Sequence, residues 1–147
     1  MTTIAYRNGV MAADSATSSN GTTIGYTTTL AKNPSGDVCG GAGIAAICAA
    51  FRKWFEGGET GEMPDLGKDD DEDAVFMVAR VTGEIQCYSR LGVSTLCDTE
   101  YAAEGSGTPV ALGAMHAGAS AFDAVRAAVH HDNRSNGPIQ TLRLGRD

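Results

Sequence analysis

Val38-Cys39-Gly40-Gly41-Ala42-Gly43 reads as a short buried strand that opens directly into a helix. From there Ile44, Ile47, Cys48, Phe51 and Phe55 recur at the i, i+3, i+4, i+7, i+11 spacing of one apolar helical face. Gly57-Gly58 ends that helix. Upstream, Asn33-Pro34-Ser35-Gly36 has turn chemistry and closes Thr29-Leu30-Ala31-Lys32, the return arm of a hairpin that follows a polar Ser/Thr/Gly stretch from Ser15 to Gly25. Further back, Thr2-Thr3-Ile4-Ala5-Tyr6 and Val10-Met11-Ala12-Ala13-Asp14 are β-prone runs joined around Asn8-Gly9, a dipeptide suited to a tight antiparallel hairpin.

Downstream, the acidic block Asp69-Asp70-Asp71-Glu72-Asp73 reads as a solvated loop over 58–73, because the spaced ligands and internal glycine of a calcium loop are missing. Ala74–Arg80 and Ile85–Ser89 form a third hairpin across Val81-Thr82-Gly83-Glu84. Pro109 suits the first turn of a helix running through Leu112 and Met115. Ser120 resembles the cap of a further helix with Phe122, Val125 and Val129 on one side, and 139–144 is a last strand. Strands, helix, strands, helices, strand is the order of sheets covered by helices rather than of alternating βαβ units.

The 147 residues fit one domain, 1–147, and 42% hydrophobic with 20% charged residues excludes disorder and coiled coil. Eleven Lys and Arg against 18 Asp and Glu give a net charge of -7, so nucleic acid is not an expected partner. No apolar run reaches the roughly 18 residues of a membrane span, and no basic segment followed by an apolar one opens the chain. A cytoplasmic protein without a membrane partner is expected. Cys39, Cys48, Cys87 and Cys97 form no CxxC pair and have no histidine at zinc spacing, so they read as small core hydrophobes, with no metal or cofactor expected. His116 and the pair His130-His131 belong to a helix and a helix end, where they suit the dipole better than they suit chemistry.

Met1-Thr2-Thr3 offers chemistry of another kind. Loss of Met1 before a small residue leaves Thr2 with a free α-amine beside its own hydroxyl, a weak nucleophile next to a base of pKa about 7.7–8.0. Thr2-Thr3-Ile4-Ala5-Tyr6, Asn8 to Ser15, Lys32, Gly41-Ala42-Gly43, Gly105-Ser106-Gly107 and Asp132 to Gly137 together resemble the proteasome β-subunit and HslV-like family of N-terminal-threonine hydrolases, in a short bacterial or phage-type form.

That resemblance implies an α+β fold, a four-layer α-β-β-α sandwich of two antiparallel sheets between helix layers. It implies a threonine endopeptidase in which Thr2 is the nucleophile and Lys32, held by Asp14, tunes it electrostatically. Gly43 matches the glycine that supplies an oxyanion-hole amide. Ser106, Asp132 and Ser135 match residues around the N-terminal amine, with Asn136-Gly137 a departure from the family's Ser-Gly. The implied substrate is a peptide or unfolded polypeptide, and the implied partners are copies of the chain in a homo-oligomeric, stacked ring and an ATP-dependent unfoldase. A non-catalytic ring or scaffold and a small-amide hydrolase on the same fold are the alternatives.

Overall fold

The computed structural model describes residues 2–69 and 71–146, so Met1, Asp147 and Asp70 of the acidic block lie outside the described residues. β1 (Thr3–Arg7) and β2 (Val10–Ala13) pair antiparallel, with Ile4 opposite Ala13. Asn8 and Gly9 hold φ values of 52° and 76°, the twin left-handed positions that a two-residue hairpin needs. β10 (Tyr101–Gly105) pairs with β1 and β11 (Gln140–Arg143) with β2, giving the order β10-β1-β2-β11.

The polar stretch after Asp14 is itself a hairpin. β3 (Ala16–Ser19) and β4 (Thr22–Tyr26) turn at Asn20-Gly21, with φ values of 49° and 76°. β5 (Leu30–Lys32) therefore does not return along the polar stretch but pairs forward with β6 (Val38–Gly43), across the turn at 33–37. Asn33 organises that turn by accepting the amides of Ser35 and Asp37 on its side-chain oxygen, each at 3.0 Å. β7 (Ala74–Ala79), β8 (Ile85–Ser89) and β9 (Gly92–Leu96) complete a five-stranded sheet ordered β5-β6-β7-β8-β9. β9 has every residue exposed, and β10 is built largely from Ala, Glu and Gly. Neither carries the buried alternation by which a strand announces itself in sequence.

Among the described residues three helices accompany these sheets. α1 (Ala45–Glu56) follows β6 after one residue and stops at Gly57. α2 (Thr108–His116) carries Pro109 in its first turn, and α3 (Ala121–His131) is capped by Ser120, whose hydroxyl accepts the Asp123 amide at 3.1 Å. Apolar residues gather in three clusters. Ile4, Met11, Leu30, Val38 and Met77 pack the two larger sheets against each other. Phe51 and Phe55 of α1 pack on Phe76, Val78 and Tyr88 of the five-stranded sheet, with the Phe51 and Phe76 rings stacked 3.9 Å apart. Gly41 makes room for that stack, because a methyl there would collide with the Phe76 ring.

The third cluster sets α2 and α3 on the other sheet through Ala5, Ala12, Ala111, Met115, Ala121, Ala124 and Val125. Its alanines let the helices lie close, and this rotates α3 from the face expected: Ala121, Ala124, Val125 and Ala128 are buried, while Phe122 is 41% exposed. Of the cysteines only Cys39 and Cys48 join the core; Cys87 is half-buried and Cys97 exposed. The 57–73 segment has no helix among its described residues, and Arg80 fastens its start by gripping Glu59 at 2.7 and 2.8 Å and Asp37 at 3.2 Å.

Candidate active site

Thr2 stands just before β1, half-buried, on a cleft of about 620 Å³. The cleft runs from the base of the β3–β4 hairpin and Thr27–Thr29 to Gly41, Gly43 and the first turns of α1. Gly43 ends β6 with φ 128° and is followed by Ile44, the α1 N-cap, which offers no side-chain hydrogen bond to the helix; no acidic residue occupies the first turn. The opening amides of α1 thus meet the cleft at a strand-to-helix junction, the geometry that receives a developing oxyanion.

Behind Thr2 a hydrogen-bonded chain joins residues from distant parts of the sequence. Ser106 and Ser135 both donate to Asp132 Oδ2, at 2.5 and 2.6 Å. The Thr3 and Ser135 hydroxyls lie 2.7 Å apart, and the Gly107 amide donates to Thr3 Oγ1 at 2.9 Å. Because Ser135 gives its proton to Asp132, Thr3 must give its own to Ser135; donation runs from Gly107 through Thr3 and Ser135 to the accepting Asp132 carboxylate. Burial pushes the Asp132 carboxyl up, but the Ser106 and Ser135 hydroxyls and the Arg134 amide together hold it below its ordinary value.

Asp14 is fully buried on the other side of Thr3. Its Oδ1 accepts the Thr3 amide and its Oδ2 the Asn136 amide, each at 2.7 Å. Burial raises its pKa, with the Thr3 and Asn136 amides opposing the rise. The Thr29 hydroxyl donates to the Asp14 carbonyl at 2.8 Å. Thus Asp14, Ser106, Asp132 and Ser135 converge on Thr3, next to Thr2, and Gly43 faces Thr2 across the same cleft.

Lys32 is placed differently. It is half-buried at the far end of β5, opposite Val38, and the residue of this segment that lines the cleft and touches Asp14 is Thr29. Three residues of strand, about 10 Å, separate the two. The structure therefore does not gather Lys32 among the cleft residues, and the expected Asp14–Lys32 arrangement is corrected to one in which Asp14 serves two backbone amides. Thr3 is the residue that sequence reasoning missed. As the first residue of a strand it gave no signal, since its partners lie 104 and 132 residues away.

Gly105 fixes Thr2 sterically. It adopts φ 101°, and a methyl there would run into the Thr2 carbonyl oxygen. Gly105→Ala is expected to lower any turnover by Thr2 at least tenfold while costing only about 1–3 kcal/mol of stability, checked by peptide hydrolysis beside thermal melting.

Among the described residues, no group of three or more His, Cys, Asp or Glu side chains is arranged to hold a metal ion. No described helix is long and apolar enough to cross a membrane.

No family model matches the sequence, and no curated protein matches it. The fold is nevertheless that of HslV and the proteasome β-subunits, with antiparallel sheets and helices in the same arrangement over nearly the whole chain. Eukaryotic HslV from Trypanosoma brucei superposes with a TM-score of 0.71 at 20% identity, over 98% of this chain and 99% of that one. Thiobacillus denitrificans BPH does so with a TM-score of 0.63 at 19% identity, and its complex with epoxomicin with 0.67 at 18%, each over 99% of both chains. At these identities the likeness is one of fold, and function has to be argued from the site.

Proposed function

We propose that this chain is an N-terminal-threonine peptidase of the self-compartmentalising kind, one domain over 1–147 folded as a four-layer α-β-β-α sandwich and activated by loss of Met1. The observation that carries the reading is the position of Thr2: on the cleft, facing the open first turn of α1, and backed by the Ser106–Asp132–Ser135–Thr3 hydrogen-bond chain. In the reaction Thr2 Oγ attacks a peptide carbonyl and gives its proton to the Thr2 amine. The amide of Gly43 and those opening α1 stabilise the oxyanion, and the same amine protonates the departing amine. Water then hydrolyses the ester. Ser106 and Asp132 orient the Thr2 amine, while Asp14 and Ser135 hold the backbone through Thr3. Polypeptide substrates, a stacked homo-oligomeric ring, an ATP-dependent unfoldase feeding it and a cytoplasmic site of action go with this reading.

One observation favours a second reading, a non-catalytic ring of the same fold: Thr29, a neutral hydroxyl, occupies the place beside Asp14 where a tuning cation was expected. Hydrolysis of a fluorogenic peptide and of casein, measured on protein whose N-terminus has been read by intact mass, separates the two. Turnover by a chain beginning at Thr2 supports the peptidase; a chain beginning at Thr2 and inert towards both substrates supports the scaffold. Turnover of small amides but not casein moves the reading to an amidohydrolase.

A further inference from the structure

Ala45, Cys48, Ala49 and Arg52 occupy i, i+3, i+4 and i+7 of α1 and form one wall of the Thr2 cleft. Three are small and uncharged; the last is a cation. The Arg52 side chain is half-buried and makes no hydrogen bond or ion pair among the described residues. Its charge reaches the cleft wall: burial pushes the Cys48 thiol up to about 11 against the opposing pull of Arg52. Asp71 and Asp73 also line the cleft, and the Asp73 carbonyl takes the Ile44 amide at the start of the helix. Arg52, two turns further along α1, is the cation among the described lining residues.

We infer that Arg52 selects peptides carrying an acidic side chain within about two residues of the bond held at Thr2, an assignment that rests on the peptidase reading and specifies its substrate class. Ala45 and Arg52 are about 10 Å apart along the helix axis at 1.5 Å per residue. Side chains of a helix lean back toward its N-terminus, so the guanidinium reaches part of that way toward the scissile bond. An extended peptide rises about 3.4 Å per residue and covers the remainder in two steps. The remaining lining of the cleft is rich in hydroxyls, from Thr17, Ser18, Thr27 and Thr28, which suits a polar side chain better than a large apolar one.

The test uses matched quenched fluorogenic peptides that differ only in Glu, Gln or Lys at each of the two positions on either side of the scissile bond. The Glu peptide is expected to exceed the Gln peptide about tenfold in kcat/KM and the Lys peptide by more, with the preference fading at high salt. Arg52→Glu is expected to reverse the order, Arg52→Gln to flatten it and Arg52→Lys to restore most of it. Anisotropy binding of the same peptides to Thr2→Ala protein reads recognition without chemistry. If nothing is cleaved but the Glu peptide binds tightest in an Arg52-dependent way, the inference stands and the peptidase reading falls. Binding and cleavage that are indifferent to the Glu, Gln and Lys series, or unaltered by Arg52→Glu, overturn it.

Discussion

Thr2→Ala protein is expected to hydrolyse neither fluorogenic peptide nor casein, with a loss of at least a thousandfold, and to keep the wild-type fold and melting temperature. The variant removes the only atom proposed to form the covalent intermediate, and the Thr17, Ser18, Thr27 and Thr28 hydroxyls of the cleft have no α-amine of their own to act as base. Thr3 Oγ1 is committed between the Gly107 amide and the Ser135 hydroxyl and is fully buried. Ser106 and Ser135 are committed to Asp132. Thr2→Ser, which keeps a hydroxyl beside the α-amine, is expected to retain measurable activity. Lys32→Ala divides the two accounts of the chemistry. With Lys32 at the far end of β5, turnover is expected to stay within about threefold of wild type. A loss comparable to Thr2→Ala would place that ammonium in the mechanism after all. Turnover by the Thr2→Ala protein within tenfold of wild type would remove the mechanism.

Asp14→Ala should produce the largest change in stability. The wild-type carboxylate is fully buried and satisfies the Thr3 and Asn136 amides at once. Truncation leaves both donors buried and unanswered, at about 1–3 kcal/mol each, so a loss of about 2–6 kcal/mol is expected. In a domain of this size that lowers the melting temperature by on the order of 10 °C. Asp14→Asn recovers only part, because its amide nitrogen faces one of the two N–H groups. The pH dependence has a definite sign. Burial raises the Asp14 pKa above its ordinary 3.8, so the folded state holds this proton more tightly than the unfolded chain does. Its contribution to stability is complete below 3.8 and is lost as pH rises through the folded value. The gap between wild type and Asp14→Ala should therefore widen as pH is lowered from 7 toward 4, read by denaturant titration at each pH. Asp132 works the other way: its carboxyl lies below its ordinary value, so its contribution is present above that value and lost as acid protonates the folded state. A gap that closes on acidification would show that the Thr3 and Asn136 amides outweigh burial and hold the Asp14 carboxyl below its ordinary value.

Much of the frame was legible because local chemistry and tertiary packing agree there. The Asn8-Gly9 hairpin, the Ile47, Cys48, Phe51 and Phe55 part of the apolar stripe on α1, Pro109 and the Ser120 cap each rest on forces acting within a few residues and appear where the spacing puts them, whereas Ile44 is the exposed N-cap. The Asn20-Gly21 turn carries the same signal as Asn8-Gly9. It was obscured by the polar arms around it, which bury too little to show alternation. β9 and β10 are strands because neighbouring strands pair with them, a fact about the sheet rather than about their own residues. The site divides along the same line. Thr2, Asp14, Ser106, Asp132 and Ser135 are chemically conspicuous and do come together around Thr3. Lys32 is conspicuous too, but which residue of 29–32 meets Asp14 depends on the pairing of β5 with β6, and a cation in sequence carries no record of that.

The alanine-lined seam under α2 and α3 bears on how mutants at this site are to be interpreted. Methyl groups remove little area from water, so these two helices gain less from apolar contact than α1 does with its phenylalanines. The hydroxyl relay that leaves the end of α3 through Asp132 and Ser135 and grips Thr3 is thus a mechanical fastening as well as a chemical one. Damage to it is expected to weaken the hold of α3 on the sheet, and an inactive Ser135 or Asp132 variant speaks about catalysis only when its unfolding curve overlays that of the parent.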